Sequence, residues 1–164
     1  KSKKELITKR KEMASKLKNT IRLQDETLPR AIICDLDGTL SLINDRSPFD
    51  GSKCGQDLPN VPVVNLVKNY KELGYKVILL SGRDGRYQPE TELWLDAHNI
   101  HYDKLWMRKP KDNRKDAIIK EEIFRREIEE KYFIEFVLDD RNQVVDLWRL
   151  KLKLPCFQVF YGDF

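Results

Sequence analysis

The stretch Ala31–Leu40, AIICDLDGTL, decides how the chain is read, because it sets Asp35 and Asp37 two residues apart at the end of an apolar run. Alternation along a strand points both carboxylates to one side, roughly 6–7 Å apart in extended geometry. Gly38 then supplies a sharp turn. Two carboxylates so placed repel each other unless a cation neutralises them, and a hard, oxygen-seeking Mg²⁺ suits these donors. Such a pair can address one phosphate. Taken alone, DLDG is equally well a polar strand end followed by an Asp-Gly turn.

Outward from this stretch the chain alternates short apolar runs with amphipathic ones. Strands are expected at 30–35, 76–81, 104–108, 134–139 and 156–160, and helices at 62–73, 88–98, 113–131 and 141–151. This predicts an α/β fold, a doubly wound and mostly parallel five-stranded sheet with helices on both faces. Roughly 40 residues separate the first two site strands, too few for a large cap domain once a helix is placed among them.

In an open parallel sheet, ligands bind beyond the carboxyl ends of the strands. The first strand ends in Asp35 and Asp37, the second (KVILL) in Ser81-Gly82-Arg83, and the fourth (IEFVL) in Asp139-Asp140-Arg141. A serine hydroxyl and backbone N–H groups donate to phosphate oxygens, and a second aspartate pair completes an oxygen cage for Mg²⁺. Each feature alone has a plainer explanation, a turn or a helix N-cap. Their convergence on one edge is the signal. Lys120, on helix 113–131, is the expected cation beside the nucleophile, with a solvated helix lysine as its alternative.

At 164 residues, 40% hydrophobic and 35% charged, the chain suits one globular domain. No apolar run approaches the ~20 residues of a membrane span, and no leader-peptide pattern is visible. Cys34, Cys54 and Cys156 are odd in number and scattered, which suits reduced thiols and a cytoplasmic setting. The chain opens on Lys1 without an initiator Met, which suits either a processed product or one part of a longer polypeptide that carries a further domain.

Charge is distributed unevenly. Residues 1–22 carry nine Lys and Arg against two Glu, a net of +7, so the remainder of a chain totalling +4 carries −3. Leu6, Ile7, Met13, Ala14, Leu17 and Ile21 recur there at helical spacing, which predicts a basic amphipathic helix or linker over 1–28 and a catalytic domain over 29–164. A second basic cluster, MRKPKDNRK from Met107 to Lys115, follows the third strand. His98 and His101 lack further ligands for a zinc site. Trp94, Trp106 and Trp148 are expected in the core, and Tyr87 near the substrate.

The order DLDGT, hydrophobic-LSGR, Lys, hydrophobic-LDD resembles the haloacid dehalogenase superfamily of phosphohydrolases. Residues 31–164 resemble more narrowly the C-terminal 3′-phosphatase domain of bacteriophage polynucleotide kinase/phosphatase, in DLDGTL, NDRSPFD, VILLSGR, RKDAIIKEEIF, LDDRNQVVDLWR and the closing GDF. The resemblance implies Mg²⁺-dependent removal of a 3′-phosphate from DNA or RNA ends. Asp35 becomes the nucleophile and Asp37 the general acid and base. Arg46, Ser81, Arg83 and Lys120 bind the phosphoryl group, Asp116 orients one of these cations, and the metal is held by Asp35, the Asp37 carbonyl, Asp139 and Asp140. No GxxxxGK[ST] is present, so a kinase activity is not expected of this chain and a kinase domain is a candidate partner. A small-molecule phosphatase of the same superfamily and a catalytically silent nucleic-acid-binding module are the alternatives.

Overall fold

The computed structural model describes residues 2–18 and 22–164. A helix, α1 (Lys3–Lys18), precedes β1 (Arg30–Cys34), and the short strands β2 (Ser41–Leu42) and β3 (Leu58–Pro59) pair as a small antiparallel ribbon. There follow α2 (Val61–Glu72), β4 (Lys76–Asp84), α3 (Gln88–Ala97), β5 (Lys104–Arg108), α4 (Asp116–Glu127), β6 (Phe133–Arg141), α5 (Asn142–Asp146) and β7 (Cys156–Gly162).

Five of these strands form one parallel sheet in the order β5-β4-β1-β6-β7. The central β1 is apolar on both sides because both sides are covered. Ile32 and Cys34 pack with Val63, Val64 and Val67 of α2 and with Trp94 and Leu95 of α3. Ala31 and Ile33 pack with Ile119, Ile123 and Phe124 of α4 and with Val144 and Val145 of α5. The sheet is therefore doubly wound, as expected. Between β1 and β4 lie only the ribbon, a 3₁₀ segment (Gly51–Gln56) and α2, so no large cap covers the sheet edge.

Several boundaries differ from expectation, each for a hydrogen-bonding reason. β1 ends at Cys34, and Asp35 to Thr39 form a tight loop in which Thr39 and Ser41 donate their N–H groups to the Leu36 carbonyl. Strand alternation therefore does not set the Asp35–Asp37 relationship. Ser81-Gly82-Arg83 is not a turn but the continuation of β4, with a register shift between Ser81 and Asp84. The helix expected over 141–151 is divided: α5 gives way to a wider π-helical turn, Leu147–Lys151, in which Leu152 N–H bonds the Leu147 carbonyl.

On α1, Leu6, Ile7 and Met13 are exposed. Ile21 and the side chain of Leu17 lie outside the described residues. Among the described residues, no helix is long and apolar enough to cross a membrane. The three cysteines are free and buried.

Candidate active site

The carboxyl ends of β1, β4 and β6 bring together every residue singled out for the site. They form two charge clusters of different balance. The first surrounds Lys120, which reaches from α4 into the interior and is 1% exposed. Its Nζ donates to Asp35 Oδ1 at 2.8 Å and to Asp139 Oδ2 at 2.9 Å, and lies 3.6 Å from Asp116 Oδ2. A buried lysine is costly unless paired. Burial lowers its proton affinity, but Asp139, Asp35 and Asp116 more than offset this and hold it firmly protonated.

Around this single ammonium stand four buried carboxylates, Asp35, Asp116, Asp139 and Asp140. Burial pushes Asp35 well above the usual carboxylate range, reinforced by Asp139 and Asp140 and opposed by Lys120. Burial, followed by Asp139, likewise pushes Asp140 up. Oxygens of Asp35, Asp139 and Asp140 lie within 4.8 Å of one another. Hard anionic donors in excess over cations at this spacing fit Mg²⁺. Thr39 Oγ1 ties two of them, 3.3 Å from Asp35 Oδ2 and 3.2 Å from Asp140 Oδ1.

Glycine makes this approach possible at two places. Gly38 adopts φ +80°, and a Cβ there would lie 2.4 Å from Asp140 Oδ2. A Cβ on Gly82 would lie 1.8 Å from Asp116 Oδ1, so any side chain at position 82 would evict the carboxylate. That carboxylate also faces Arg108 Nη2 at 3.6 Å and Arg141 Nη1 at 3.7 Å.

The second cluster is neutral: Asp37 and Asp57 against Arg46 and Arg83. Arg46 Nη2 donates to Asp37 Oδ1 and to Asp57 Oδ2, each at 2.6 Å, and its Nε donates to Asp57 Oδ1 at 2.8 Å. Arg83 Nη2 reaches Asp37 Oδ1 at 2.7 Å, and its Nη1 reaches Thr91 Oγ1 at 2.9 Å. Burial pushes Asp37 upward, but Arg83 and then Arg46 more than offset it, leaving the carboxyl below its usual range. The guanidinium nitrogens expected to grip phosphate are thus all engaged by protein acceptors.

Ser81 is 1% exposed and accepts the Arg83 N–H at 3.0 Å. Sequence reasoning passes over Thr39, although it adjoins DLDG, and Asp57, which lies in the unremarkable run Gly55-Gln56-Asp57-Leu58 with no local signal. Tyr87 packs over Gly51, half-buried at the rim. His98 Nδ1 lies 2.8 Å from the Trp94 carbonyl, and the metal-capable group found among the described residues contains neither histidine.

Residues 29–164 match the polynucleotide kinase PNKP phosphatase domain of the haloacid dehalogenase superfamily. The chain belongs to this family. The phosphatase domain superposes with a TM-score of 0.87, at 59% identity, on a chain in the structure of the Pnkp1/Rnl/Hen1 RNA repair complex; the match covers 88% of this chain and 47% of that one. A second structure of a Pnkp1/Rnl/Hen1 complex matches with the same score and identity, covering 50% of its chain. A protein of Autographa californica nuclear polyhedrosis virus, described as a putative bifunctional polynucleotide kinase/RNA ligase, is 35% identical over 133 residues, which is 79% of this chain and 19% of the viral protein. The phosphatase domain thus spans half or less of each of these relatives.

Proposed function

We propose that the phosphatase domain removes the 3′-phosphate from nucleic-acid ends, RNA ends first among them, through an aspartyl-phosphate intermediate. The observation that carries this reading is the different setting of the two aspartates in one motif. Asp35 is buried against the Lys120 ammonium, where a carboxylate serves as nucleophile toward an anionic phosphoryl group. Asp37, its side chain 25% exposed against 8% for Asp35, is the more open of the two, as a proton donor to a departing oxygen needs to be.

Asp35 attacks phosphorus while the bond to the ribose O3′ breaks, and Asp37 delivers a proton to that oxygen. Water then attacks the phosphoenzyme, Asp37 takes its proton, and inorganic phosphate leaves with Asp35 restored. Lys120 and the Ser81 hydroxyl stabilise the transferring oxygens. Arg46 and Arg83 act through Asp37, fixing its direction, and Asp116 steadies Lys120. Asp35, Asp140, Asp139 and the Asp37 carbonyl would hold Mg²⁺, which supplies charge neutralisation at the phosphoryl oxygens.

Three further features support a polymer end as substrate: the absence of a large cap, the basic residues Lys109, Lys111 and Lys115 exposed after β5, and relatives named for RNA repair and RNA ligation. The last also supports partner or fused domains, a kinase among them. Incubation with 3′-phosphorylated and 5′-phosphorylated oligonucleotides tests the reading. Phosphate is expected from the former only. Faster turnover of free mononucleotides than of oligonucleotide ends would move the assignment to a small-molecule phosphatase.

A further inference from the structure

The Asp139 carboxylate is held by four donors. Oδ1 accepts the backbone N–H of Asp140 at 2.9 Å and of Arg141 at 3.4 Å, while Oδ2 accepts Lys120 Nζ at 2.9 Å and the indole Nε1–H of Trp148 at 3.3 Å. Trp148 is fully buried, its ring edge-to-face with Phe124 at 5.7 Å. Packing alone accounts for its place in the core, yet among the described residues it is also the one neutral side chain bonded to the Asp139 oxygen that accepts from Lys120. The π-helical turn Leu147–Lys151 presents it. A wider turn inserted in a helix changes the direction of the residues it carries, and such turns recur at functional sites.

We propose that Trp148 is a positioning residue for catalysis: its indole N–H fixes the Asp139 carboxylate so that Lys120 is aimed at Asp35 and the phosphoryl oxygens bound there. The proposal rests on the phosphatase reading above. Without that N–H, Lys120 is the one side-chain donor left to Oδ2 among the described residues, and the carboxylate, still held at Oδ1 by two backbone N–H groups, is less tightly fixed in its tilt. The ammonium, shared between Asp139 and Asp35, shifts toward Asp35 as the Asp139 side loosens. Because Lys120 acts on charge that redistributes during transfer, the loss falls on kcat rather than on substrate binding.

The test pairs Trp148→Phe with Trp148→Leu. Phe keeps an aromatic ring against Phe124 and lacks the N–H; Leu lacks both. A hydrogen bond to a charged group corresponds to roughly a tenfold to hundredfold effect. Both variants are therefore expected to lose at least about tenfold in kcat, with KM for a 3′-phosphorylated oligonucleotide within about threefold of wild type, although Leu is the less stable of the two. A Phe variant that keeps kcat within about twofold overturns the proposal, as does a loss that simply follows thermal stability across the pair.

The hydrogen bond has a readout apart from turnover. In ¹⁵N-labelled protein without metal, the indole resonance missing from Trp148→Phe identifies Trp148, and it is expected to shift in Asp139→Asn. An unmoved resonance overturns the proposal. If Trp148→Phe fails to fold, loss of the other two indole resonances in Trp94→Phe and Trp106→Phe assigns Trp148 by elimination, and a resonance that does not move in Asp139→Asn overturns the proposal. No phosphate release by the wild type would overturn the phosphatase reading, and the positioning role with it, while the resonance still shows whether the hydrogen bond exists.

Discussion

Arg46 and Asp37 are joined through one guanidinium nitrogen: Nη2 donates to Asp37 Oδ1 at 2.6 Å and, at the same distance, to Asp57 Oδ2. Asp37 is therefore ionised in the resting protein, held below the usual carboxylate range by Arg83 and Arg46 against the upward push of burial. In this form it is ready as the base of the second step. For the first step it must carry a proton, and the arriving phosphate, which adds negative charge beside it, favours that protonation.

The acid role is tested by the leaving group. Asp37→Asn is expected to slow phosphoenzyme formation from a 3′-phosphorylated oligonucleotide by about 10²-fold or more. The loss should be much smaller with p-nitrophenyl phosphate, whose leaving group departs without a proton. Rapid-quench burst kinetics on both substrates measure this, and equal losses would exclude Asp37 as the acid.

Stability should separate the two motif aspartates. Simple carboxylate repulsion predicts that Asn at either position stabilises the metal-free protein, but the structure gives them opposite signs. Asp37 has a depressed proton affinity, so its contribution is present above the unfolded-state value of about 3.9 and is lost as pH falls through its lower folded value. Asp37→Asn should therefore cost about 1.5–3 kcal/mol at pH 7. Asp35 has a raised proton affinity, so its charge destabilises the fold at neutral pH and this cost disappears on acidification. Asp35→Asn should have a Tm at or above that of wild type in EDTA, and it should never become labelled with phosphate. Thermal unfolding in chelator at pH 7 and at pH 4 checks both signs.

The metal assignment is read from binding as well as turnover. Mg²⁺ should raise the Tm of the wild type, because it binds only the folded cage, and chelation should silence phosphate release. Asp140→Asn removes one anionic oxygen while leaving Asp35 and Asp139, so its Tm gain at a given Mg²⁺ concentration should shrink and its half-saturating Mg²⁺ should rise. An unchanged titration would remove Asp140 from the set.

The basic cluster after β5 divides in the structure. Arg108 is a scaffold residue in part, its guanidinium bonded to the carbonyls of Gly82, Asp112 and Arg114, and Arg114 pairs with Asp112 and Glu122. Arg108→Ala would thus disturb the loop as well as its charge. Lys109 and Lys111 are exposed, and their joint replacement by Ala isolates the electrostatic contribution. The slope of log KM against log salt for a 3′-phosphorylated oligonucleotide should fall by roughly 0.7 for each phosphate that the variant no longer neutralises, and the slope for a 3′-mononucleotide should stay the same. Parallel slopes in variant and wild type would leave the cluster without a role in substrate binding.

The parallel sheet is legible because runs such as RAIIC and KVILL are short, β-rich and apolar on both faces, a pattern that at this length fits a buried strand. The site edge is legible because the carboxyl ends of those runs carry Asp, Ser-Gly-Arg and Asp-Asp. Less legible are features that depend on partners distant in the chain. Nothing local marks Asp57 as the counter-ion of two arginines, and the apolar setting of Trp148 does not disclose the bond of its N–H to Asp139. The segment after Cys34 has the look of strand in sequence, but that extended form yields to three backbone bonds, two of them to the Leu36 carbonyl and one from Gly38 to Ser41.

What the sequence by itself determined is the type of chemistry and the edge of the sheet where it occurs, since residue type and strand period are local properties. What only the tertiary structure decided is the division of labour among like residues. Three aspartates converge on one lysine with Asp140 beside them, and two on a pair of arginines, and that partition, not the identity of the side chains, makes Asp35 a shielded carboxylate and Asp37 a more exposed, ionised one. The physical reason is that proton affinity and hydrogen-bond direction depend on distances of a few ångströms between residues up to about a hundred positions apart, and folding alone sets those distances.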